Sequence, residues 1–184
     1  AAQGDVFRFD DVGHGARARA TRQAFPADIE RIAPADFNGD GHMDLAVLEE
    51  LPRQVRIYRQ VAGGAFQGDA PLVTRPGLRG LITGDCNDDG LVDVVVSDSL
   101  TNAVTIYAGQ TDGSLRELAS AGAGTQPVAA ALTDFDLDGV PEIAVAARGS
   151  AEVVLLRLVD GTRLEVVGSL AESDPPVDVT TGDV

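Results

Sequence analysis

Short apolar runs separated by Gly, Asp and Asn extend along the whole chain. The runs are rich in β-branched residues, as in DLAVL (44–48), DVVVS (93–97) and EIAVA (142–146). Runs of this length between turn-forming residues are typical of β-strands. A helix would show apolar residues with a 3.6-residue period and capping residues at its ends, and no segment sustains that pattern. The hydrophobic pattern therefore predicts an all-β fold.

The pattern repeats with a fixed period. An acidic segment precedes each of the three β-branched runs and begins at Asp36, Asp85 and Asp134, which are 49 residues apart. A second marker, a valine in a later strand of the unit, keeps the same register at Val6, Val55, Val104 and Val153. Four short strands per 49-residue unit are typical of a β-propeller blade, whereas a β-sandwich rarely shows so strict a period. The predicted fold is an array of blades, each of four antiparallel strands, with about 3.75 repeats in 184 residues.

The repeat also predicts where each blade begins and ends. Residues 1–23 match the second half of a blade, residues 24–72, 73–121 and 122–175 match three blades, and residues 176–184 match the first strand of another. An open array exposes strand edges, and unpaired edges are templates for pairing with another chain. Two interpretations follow. Either the chain is a fragment of a longer propeller, which we favour slightly, or copies associate end to end into a ring or a filament.

Each acidic segment places side-chain oxygens on alternate positions of a nine-residue loop, numbered here from its first Asp. Positions 1, 3, 5 and 9 are Asp36, Asn38, Asp40 and Asp44 in loop 36–44, Asp85, Asn87, Asp89 and Asp93 in loop 85–93, and Asp134, Asp136, Asp138 and Glu142 in loop 134–142. Position 6 is always glycine: Gly41, Gly90 and Gly139. Position 7 varies freely, as expected where a backbone carbonyl is the ligand: His42, Leu91 and Val140. Position 2 is apolar and is expected to point into the core: Phe37, Cys86 and Phe135.

Carboxylates crowded in this way repel one another unless a cation lies among them. Ca²⁺ takes about six to eight oxygen ligands, and alternate side chains of a tight loop converge on one point. We therefore expect three Ca²⁺ ions, one in each loop, bound by the side chains of positions 1, 3, 5 and 9 and the carbonyl of position 7. Asp183 begins a copy that is cut off, and we expect no ion there. A solvated Asx turn would explain one such loop but not three at one spacing.

The loops differ from EF-hands, which need a bidentate Glu at position 12, where this chain has valine each time. Each loop is followed by a β-branched run and then by a VxIY-type strand, and in this respect the chain resembles the FG-GAP/VCBS repeats of integrin-α-type β-propellers and their bacterial relatives. The Phe-Gly and Gly-Ala-Pro signatures are absent, so the VCBS type is the closer relative. The resemblance, which covers essentially the whole chain, implies that each loop joins the first two strands of a blade and carries a structural Ca²⁺. It also implies a scaffold that serves adhesion, glycan binding or a secreted hydrolase or lyase.

The composition narrows the choice of partners. A net charge of −15 repels phosphate backbones and anionic lipids, so no nucleic-acid partner is expected. No apolar run approaches the length of a membrane-spanning helix, so no membrane insertion is expected. Cys86 is the only cysteine; it occupies a position matched by two phenylalanines and is expected to be buried and inert. Because ions rather than disulfides would then stabilise the fold, we expect an extracellular or cell-surface location, where Ca²⁺ is abundant.

Three functions remain open. We favour a calcium-stabilised, non-catalytic binding or adhesion scaffold whose protein or glycan ligand the sequence does not identify. The first alternative is a structural protein that self-associates through open blade edges. The second is a lectin-like module or an accessory domain of a secreted enzyme, and the absence of Trp weakens the lectin interpretation because sugars stack on aromatic rings. No nucleophile with an adjacent base can be identified, so no enzymatic activity is expected.

Overall fold

The computed structural model describes residues 5–10, 19–25 and 28–180. Over these residues the chain forms fourteen strands, joined by turns and loops. The first seven are β1 (Asp5–Asp10), β2 (Arg19–Ala24), β3 (Ile29–Ala35), β4 (Asp44–Glu49), β5 (Gln54–Gln60), β6 (Phe66–Thr74) and β7 (Leu78–Gly84). The others are β8 (Asp93–Asp98), β9 (Ala103–Gly109), β10 (Leu115–Gly122), β11 (Pro127–Thr133), β12 (Glu142–Ala147), β13 (Glu152–Val159) and β14 (Arg163–Ala171). No helix that could cross a membrane occurs in this described part.

The strands form three four-stranded antiparallel sheets, each a simple meander. The first sheet has the order β3-β4-β5-β6, the second β7-β8-β9-β10 and the third β11-β12-β13-β14, while β1 and β2 pair with each other. Consecutive antiparallel strands joined by short turns are the arrangement of a propeller blade. The prediction of an all-β fold built from four-stranded propeller blades is confirmed.

Each sheet has a second strand that is buried from end to end. Every residue of β4, β8 and β12 is buried, on both faces of the strand. In β4, Leu48 packs in the core between the first and second sheets, whereas its neighbour Val47 packs beside Phe25 on the opposite face. A strand buried on both faces reads as a continuous apolar run, and this explains the runs in the sequence.

Two apolar clusters hold the three sheets side by side. Residues of the first and second sheets share one cluster, which includes Leu48, Ile57 and Val96. Residues of the second and third sheets share the other, which includes Ile106 and Leu156. The sheets therefore pack face to face in chain order, as blades do around a propeller axis.

Arg31 lies in β3, the first strand of the first sheet, and links all three sheets on the side formed by their first strands, here called the inner side. Its Nε donates a hydrogen bond to the carbonyl of Arg79 in β7, at 2.9 Å. Its Nη2 donates to the carbonyl of Val128 in β11, at 3.4 Å. One side chain thus spans from the first sheet to the third.

The predicted blade boundaries differ from the strand ends in detail. β6 continues to Thr74 and β10 to Gly122, past the boundaries predicted at 72 and 121. The pairing of β6 with β5 contains two register shifts, and such bulges change the length of an outer strand without changing the repeat. In the region predicted as the second half of a blade, the described strands β1 (Asp5–Asp10) and β2 (Arg19–Ala24) form an antiparallel pair. Residues 176–180 are not in a strand, contrary to prediction, because no strand in the described part pairs with them; Asp183 lies outside the described residues.

The core between the second and third sheets should be sensitive to truncation. Leu156→Ala should lower the free energy of unfolding by about 2–5 kcal/mol, because this fully buried side chain packs between the two sheets. Leu170→Ala makes the same change at a side chain that is 63% exposed, and it should shift stability by less than about 0.5 kcal/mol. Urea unfolding at low protein concentration measures both. Equal losses would contradict the packing described here.

Candidate metal-binding loops

The three acidic loops occupy the same place in each sheet. Loop 36–44 joins β3 to β4, loop 85–93 joins β7 to β8, and loop 134–142 joins β11 to β12. The first eight positions extend beyond the sheet, and position 9 is the first residue of the buried second strand. Each loop therefore lies between the first and second strands of its sheet, as the resemblance implied.

A common set of hydrogen bonds shapes the loops, and loop 85–93 illustrates it. The Asp85 carboxylate accepts hydrogen bonds from the amides of Asp89 at 3.2 Å and Gly90 at 2.8 Å. The Asp89 carboxylate accepts a hydrogen bond from the amide of Leu91 at 2.8 Å. The side-chain oxygen Oδ1 of Asn87 accepts one from the backbone amide of Asp89. Equivalent bonds occur in the other two loops, with acceptors Asp36, Asn38 and Asp40, and Asp134, Asp136 and Asp138. The side chains of positions 1, 3 and 5 are therefore turned inward, towards the loop backbone.

These backbone bonds favour the charged form of the first carboxylate. Partial desolvation raises the pKa of Asp36, but the amides of Gly41, Gly39, Asn38 and Asp40 together outweigh it, so the pKa lies below its ordinary value. Hydrogen bonds from amides to a carboxylate stabilise its ionised state. Asp36 is thus ionised at neutral pH and can act as a cation ligand.

Two positions of each loop have left-handed backbone, and the sequence revealed only one of them. The glycine at position 6 has φ of 82° in Gly41, 80° in Gly90 and 89° in Gly139, a region that residues with a Cβ rarely adopt. Position 4 has the same conformation, with φ of 69° in Gly39 but 58° in Asp88 and Leu137. Because position 4 is not always glycine, the sequence contained no consistent signal for it.

Position 9 anchors the loop to the sheet. Asp93 is fully buried; its Oδ2 accepts a hydrogen bond from the amide of Cys86 at 2.8 Å and its Oδ1 one from Gly109 at 2.9 Å. Burial raises the pKa of Asp93, the two amide bonds lower it, and the charges of Asp89 and Asp85 raise it further, so the net shift is upward. The acid therefore joins the start of its loop to the end of the third strand.

The other two sheets repeat this anchor with one change. Asp44 accepts hydrogen bonds from the amides of Phe37 at 3.3 Å and Gln60 at 2.8 Å. Glu142 accepts one from the amide of Phe135 at 2.8 Å, but its other oxygen binds the Arg157 guanidinium. Position 9 was predicted only as a cation ligand, so its role as a buried anchor is an addition from the structure.

Position 2 is buried in two loops and exposed in the third. Phe37 and Cys86 are 7% and 2% exposed and pack in the two cores between sheets. Phe135 is 54% exposed, so the prediction that it points into the core is wrong. Position 2 packs towards the following sheet, and no sheet follows the third in the described part of the chain. Burial raises the pKa of the Cys86 thiol, which is free, as expected for a buried and unreactive cysteine.

Loop 134–142 brings three carboxylates together. Oxygens of Asp134, Asp136 and Asp138 lie within 4.8 Å of one another. In the other two loops position 3 is Asn, whose amide donates to the position 5 carboxylate, at 3.0 Å from Asn38 to Asp40. The donors of all three loops are oxygens, the ligands that hard cations prefer. At position 7 the His42 side chain is exposed, Leu91 is half-buried and Val140 is 37% exposed, which fits a role for the backbone.

The fold and the loops define a class of protein, a repeat array of propeller blades with an acidic loop at the same corner of each. A family model of the FG-GAP-like repeat matches residues 36–96 and again residues 85–145. Each match begins at position 1 of one loop and runs through the next loop into the buried strand. The chain belongs to the FG-GAP-like repeat family, whose repeats form β-propeller-like binding scaffolds that are in general non-catalytic. No curated protein matches the chain at a significant level.

Removal of one anchor should destabilise the fold. Asp93→Ala would leave the buried amides of Cys86 and Gly109 without their acceptor, so the free energy of unfolding should fall by roughly 2 kcal/mol or more. Asp174→Ala removes the same charge from an exposed coil and should have little effect. Urea unfolding in a chelator measures the anchor without any bound cation. A loss no greater than that of the control would show that Asp93 does not hold the loop.

Proposed function

We propose that the chain is a calcium-stabilised binding scaffold that acts outside the cell, with one Ca²⁺ in each acidic loop. The observation that carries this proposal is the recurrence of one donor arrangement in three successive sheets. In each sheet, the side chains of positions 1, 3 and 5 are held by the same backbone hydrogen bonds. The loop directly precedes a strand whose first residue is a buried acid. The proposed ligands are the side chains of positions 1, 3, 5 and 9 and the carbonyl of position 7.

Calcium fits the donor set better than other ions. All side-chain donors are carboxylate or amide oxygens, which Ca²⁺ accepts in numbers of about six to eight, whereas transition metals favour imidazole and thiolate. Mg²⁺ requires near-ideal octahedral geometry and keeps several waters. Three Ca²⁺ ions would reduce the net charge from −15 to −9, which relieves the repulsion among the loops.

The extracellular location follows from the metal. A loop that depends on Ca²⁺ is best supplied where the ion is abundant and constant, and a bound ion stabilises the folded state by mass action. The described chain has one free, buried cysteine, so disulfides within it do not contribute. The scaffold would present its exposed loops and outer strands to a protein or glycan partner, in adhesion or beside a secreted enzyme.

Loss of one ligand should remove one ion. Isothermal titration of the chelator-treated chain with Ca²⁺ should give three sites, and Asp40→Ala should give two, because position 5 supplies a ligand that nothing replaces. His42→Ala is the matched control in the same loop; its side chain is exposed and only its backbone is proposed to bind, so three sites should remain.

Thermal melts provide the corresponding stability measurement. At 100-fold saturation each site should add about 2.7 kcal/mol, so the melting temperature should rise clearly when Ca²⁺ replaces EDTA. Mg²⁺ at the same concentration should raise it less. An unchanged melting temperature, or equal loss of binding from both substitutions, would overturn the proposal.

Self-association is a second candidate function, supported by the outer face of the third sheet. Leu170 and Phe135 are 63% and 54% exposed, whereas the residues at the same places in the first sheet, Val73 and Phe37, are 9% and 7% exposed. Val73 lies opposite Val55 across the strand pair, and Leu170 lies opposite Val153, so these comparisons concern equivalent faces. In the first sheet, the equivalent apolar side chains contact another sheet. The exposed apolar side chains of the third sheet are therefore suited to packing against a sheet of a second copy.

Sedimentation velocity over a range of protein concentrations tests this candidate. In Ca²⁺ the chain should associate reversibly, and Phe135→Ser should weaken association by about tenfold, because an aromatic anchor is lost. Leu137→Ser is the control, since Leu137 is 87% exposed at a loop position that is not buried in either of the other loops. A chain that stays monomeric at all concentrations would exclude self-association.

A further inference from the structure

The three loops differ in the residue that lies across the strand pair from position 9. The register pairs Glu142 with Arg157, and the neighbouring pairs Leu45–Tyr58 and Val94–Tyr107 place Arg59 and Ala108 at the equivalent points. These three residues are 49 apart in the sequence. The second loop therefore has no arginine beside it, and the other two loops have one each.

Arg157 is bound by the carboxylates of its own loop. One guanidinium nitrogen lies 2.6 Å from Oδ2 of Asp136, and another lies 3.1 Å from Oδ2 of Asp138. Its Nε donates to Oε1 of Glu142 at 2.6 Å. These carboxylates occupy positions 3, 5 and 9, three of the four side-chain ligands proposed for Ca²⁺. Arg157 itself lowers the pKa of Asp136 by its hydrogen bond and its charge.

Arg59 stands at the same place but is directed elsewhere. Its Nε donates to Asp69 in β6 at 3.1 Å, and Nη2 donates to the carbonyl of Gly113, in the turn between β9 and β10 of the second sheet. Its remaining nitrogen is 3.5 Å from Asp44. Arg59 thus joins two sheets, and in its own loop it contacts Asp44 at position 9 and lies over the ring of Phe37 at position 2, 6.0 Å from the ring centroid.

The charge of the third loop explains the difference. Positions 1, 3, 5 and 9 have three carboxylates in each of the first two loops and four in the third, where Asp136 replaces Asn. In the second loop the Asn87 amide donates to Asp89 at 2.9 Å, and the side chain of Asp136 has no such donor. Arg157 supplies both the missing donor, to Asp138, and the charge that offsets the fourth carboxylate.

We propose that Arg157 is an internal counter-ion that competes with Ca²⁺ for the third loop. The inference rests on the proposed function, because it requires that the loops bind Ca²⁺. An incoming ion must displace the guanidinium from Asp136, Asp138 and Glu142, so the third loop binds Ca²⁺ more weakly than the second, where Ala108 offers no competitor. Without Arg157 the four carboxylates make the third loop the tightest of the three. The chain therefore has one loop that responds to Ca²⁺ at concentrations where the second is already filled.

The test is a Ca²⁺ titration of the full ¹⁵N-labelled chain, followed through the amide signals of Gly41, Gly90 and Gly139. Each of these amides donates a hydrogen bond to the carboxylate at position 1 of its own loop, so each signal reports on one site. In the parent chain the Gly90 signal should reach its midpoint at lower Ca²⁺ than the Gly139 signal. Arg157→Gln keeps much of the bulk and removes the charge; it should lower the Gly139 midpoint by about tenfold or more, the order expected when several partly exposed ion pairs no longer have to be broken.

Two further variants separate the role of charge at this site from other effects. Arg157→Lys keeps a cation and should leave the Gly139 midpoint close to that of the parent. Arg163→Gln removes the same charge from an exposed pair with Glu165 in the same sheet, and it should leave all three midpoints unchanged. Chemical shifts outside the third loop check that each variant is folded.

The results distinguish this inference from the proposed function. If the Gly90 and Gly41 signals titrate but Arg157→Gln does not move the Gly139 midpoint, or moves it no more than Arg163→Gln does, Arg157 is not a competitor and the loops still bind calcium. A parent chain in which the Gly139 signal titrates as early as the Gly90 signal overturns the inference in the same way. If no signal responds to Ca²⁺ in any variant, the proposed function fails and the inference fails with it.

Discussion

A buried acid at the head of a buried strand is the constraint on which each sheet depends. Asp44, Asp93 and Glu142 are at most 2% exposed, yet each is the first residue of a strand buried on both faces. Burial of a carboxylate is unfavourable unless hydrogen bonds compensate for the lost water. The compensating amides come from the loop before the strand and, in the first two sheets, from the strand after it. The acid thus fixes the loop, with its donors at positions 1, 3 and 5, to the sheet.

The same arrangement makes the stability of each sheet depend on the charge of its solvent-exposed loop. The sheets are held by apolar packing, whereas the loops concentrate negative charge at one corner of every sheet. Amides of the loop stabilise those charges in part, as the lowered pKa of Asp36 indicates. Where a fourth carboxylate is added, an arginine is bound to it. In the third sheet, the local charge of the loop thus accounts for the contacts that Arg157 of the neighbouring strand makes.

Periodicity and loop spacing were sufficient to predict the architecture. The 49-residue register predicted four-stranded antiparallel sheets, with every acidic loop before a β-branched run, because local chemistry fixes turns and strands. Features that depend on a neighbouring sheet were beyond that reasoning. Phe135 has the same local sequence context as Phe37, but within residues 5–10, 19–25 and 28–180 no sheet packs against it. Arg59 and Arg157 share a register position but bind different partners. The calcium ligands remain a prediction, since donor chemistry alone indicates them.

Arg31 makes the chain more than a linear array. In an ordinary repeat protein each unit touches only its neighbours, so stability is a sum of unit and nearest-neighbour contributions. The hydrogen bond from Arg31 to the carbonyl of Val128 joins the first sheet to the third, past the second. Fraying of the third sheet would therefore release a bond held by the first, and the two outer sheets would tend to be lost together. The inner side of the chain thus gains cooperativity that a strictly one-dimensional stack does not have.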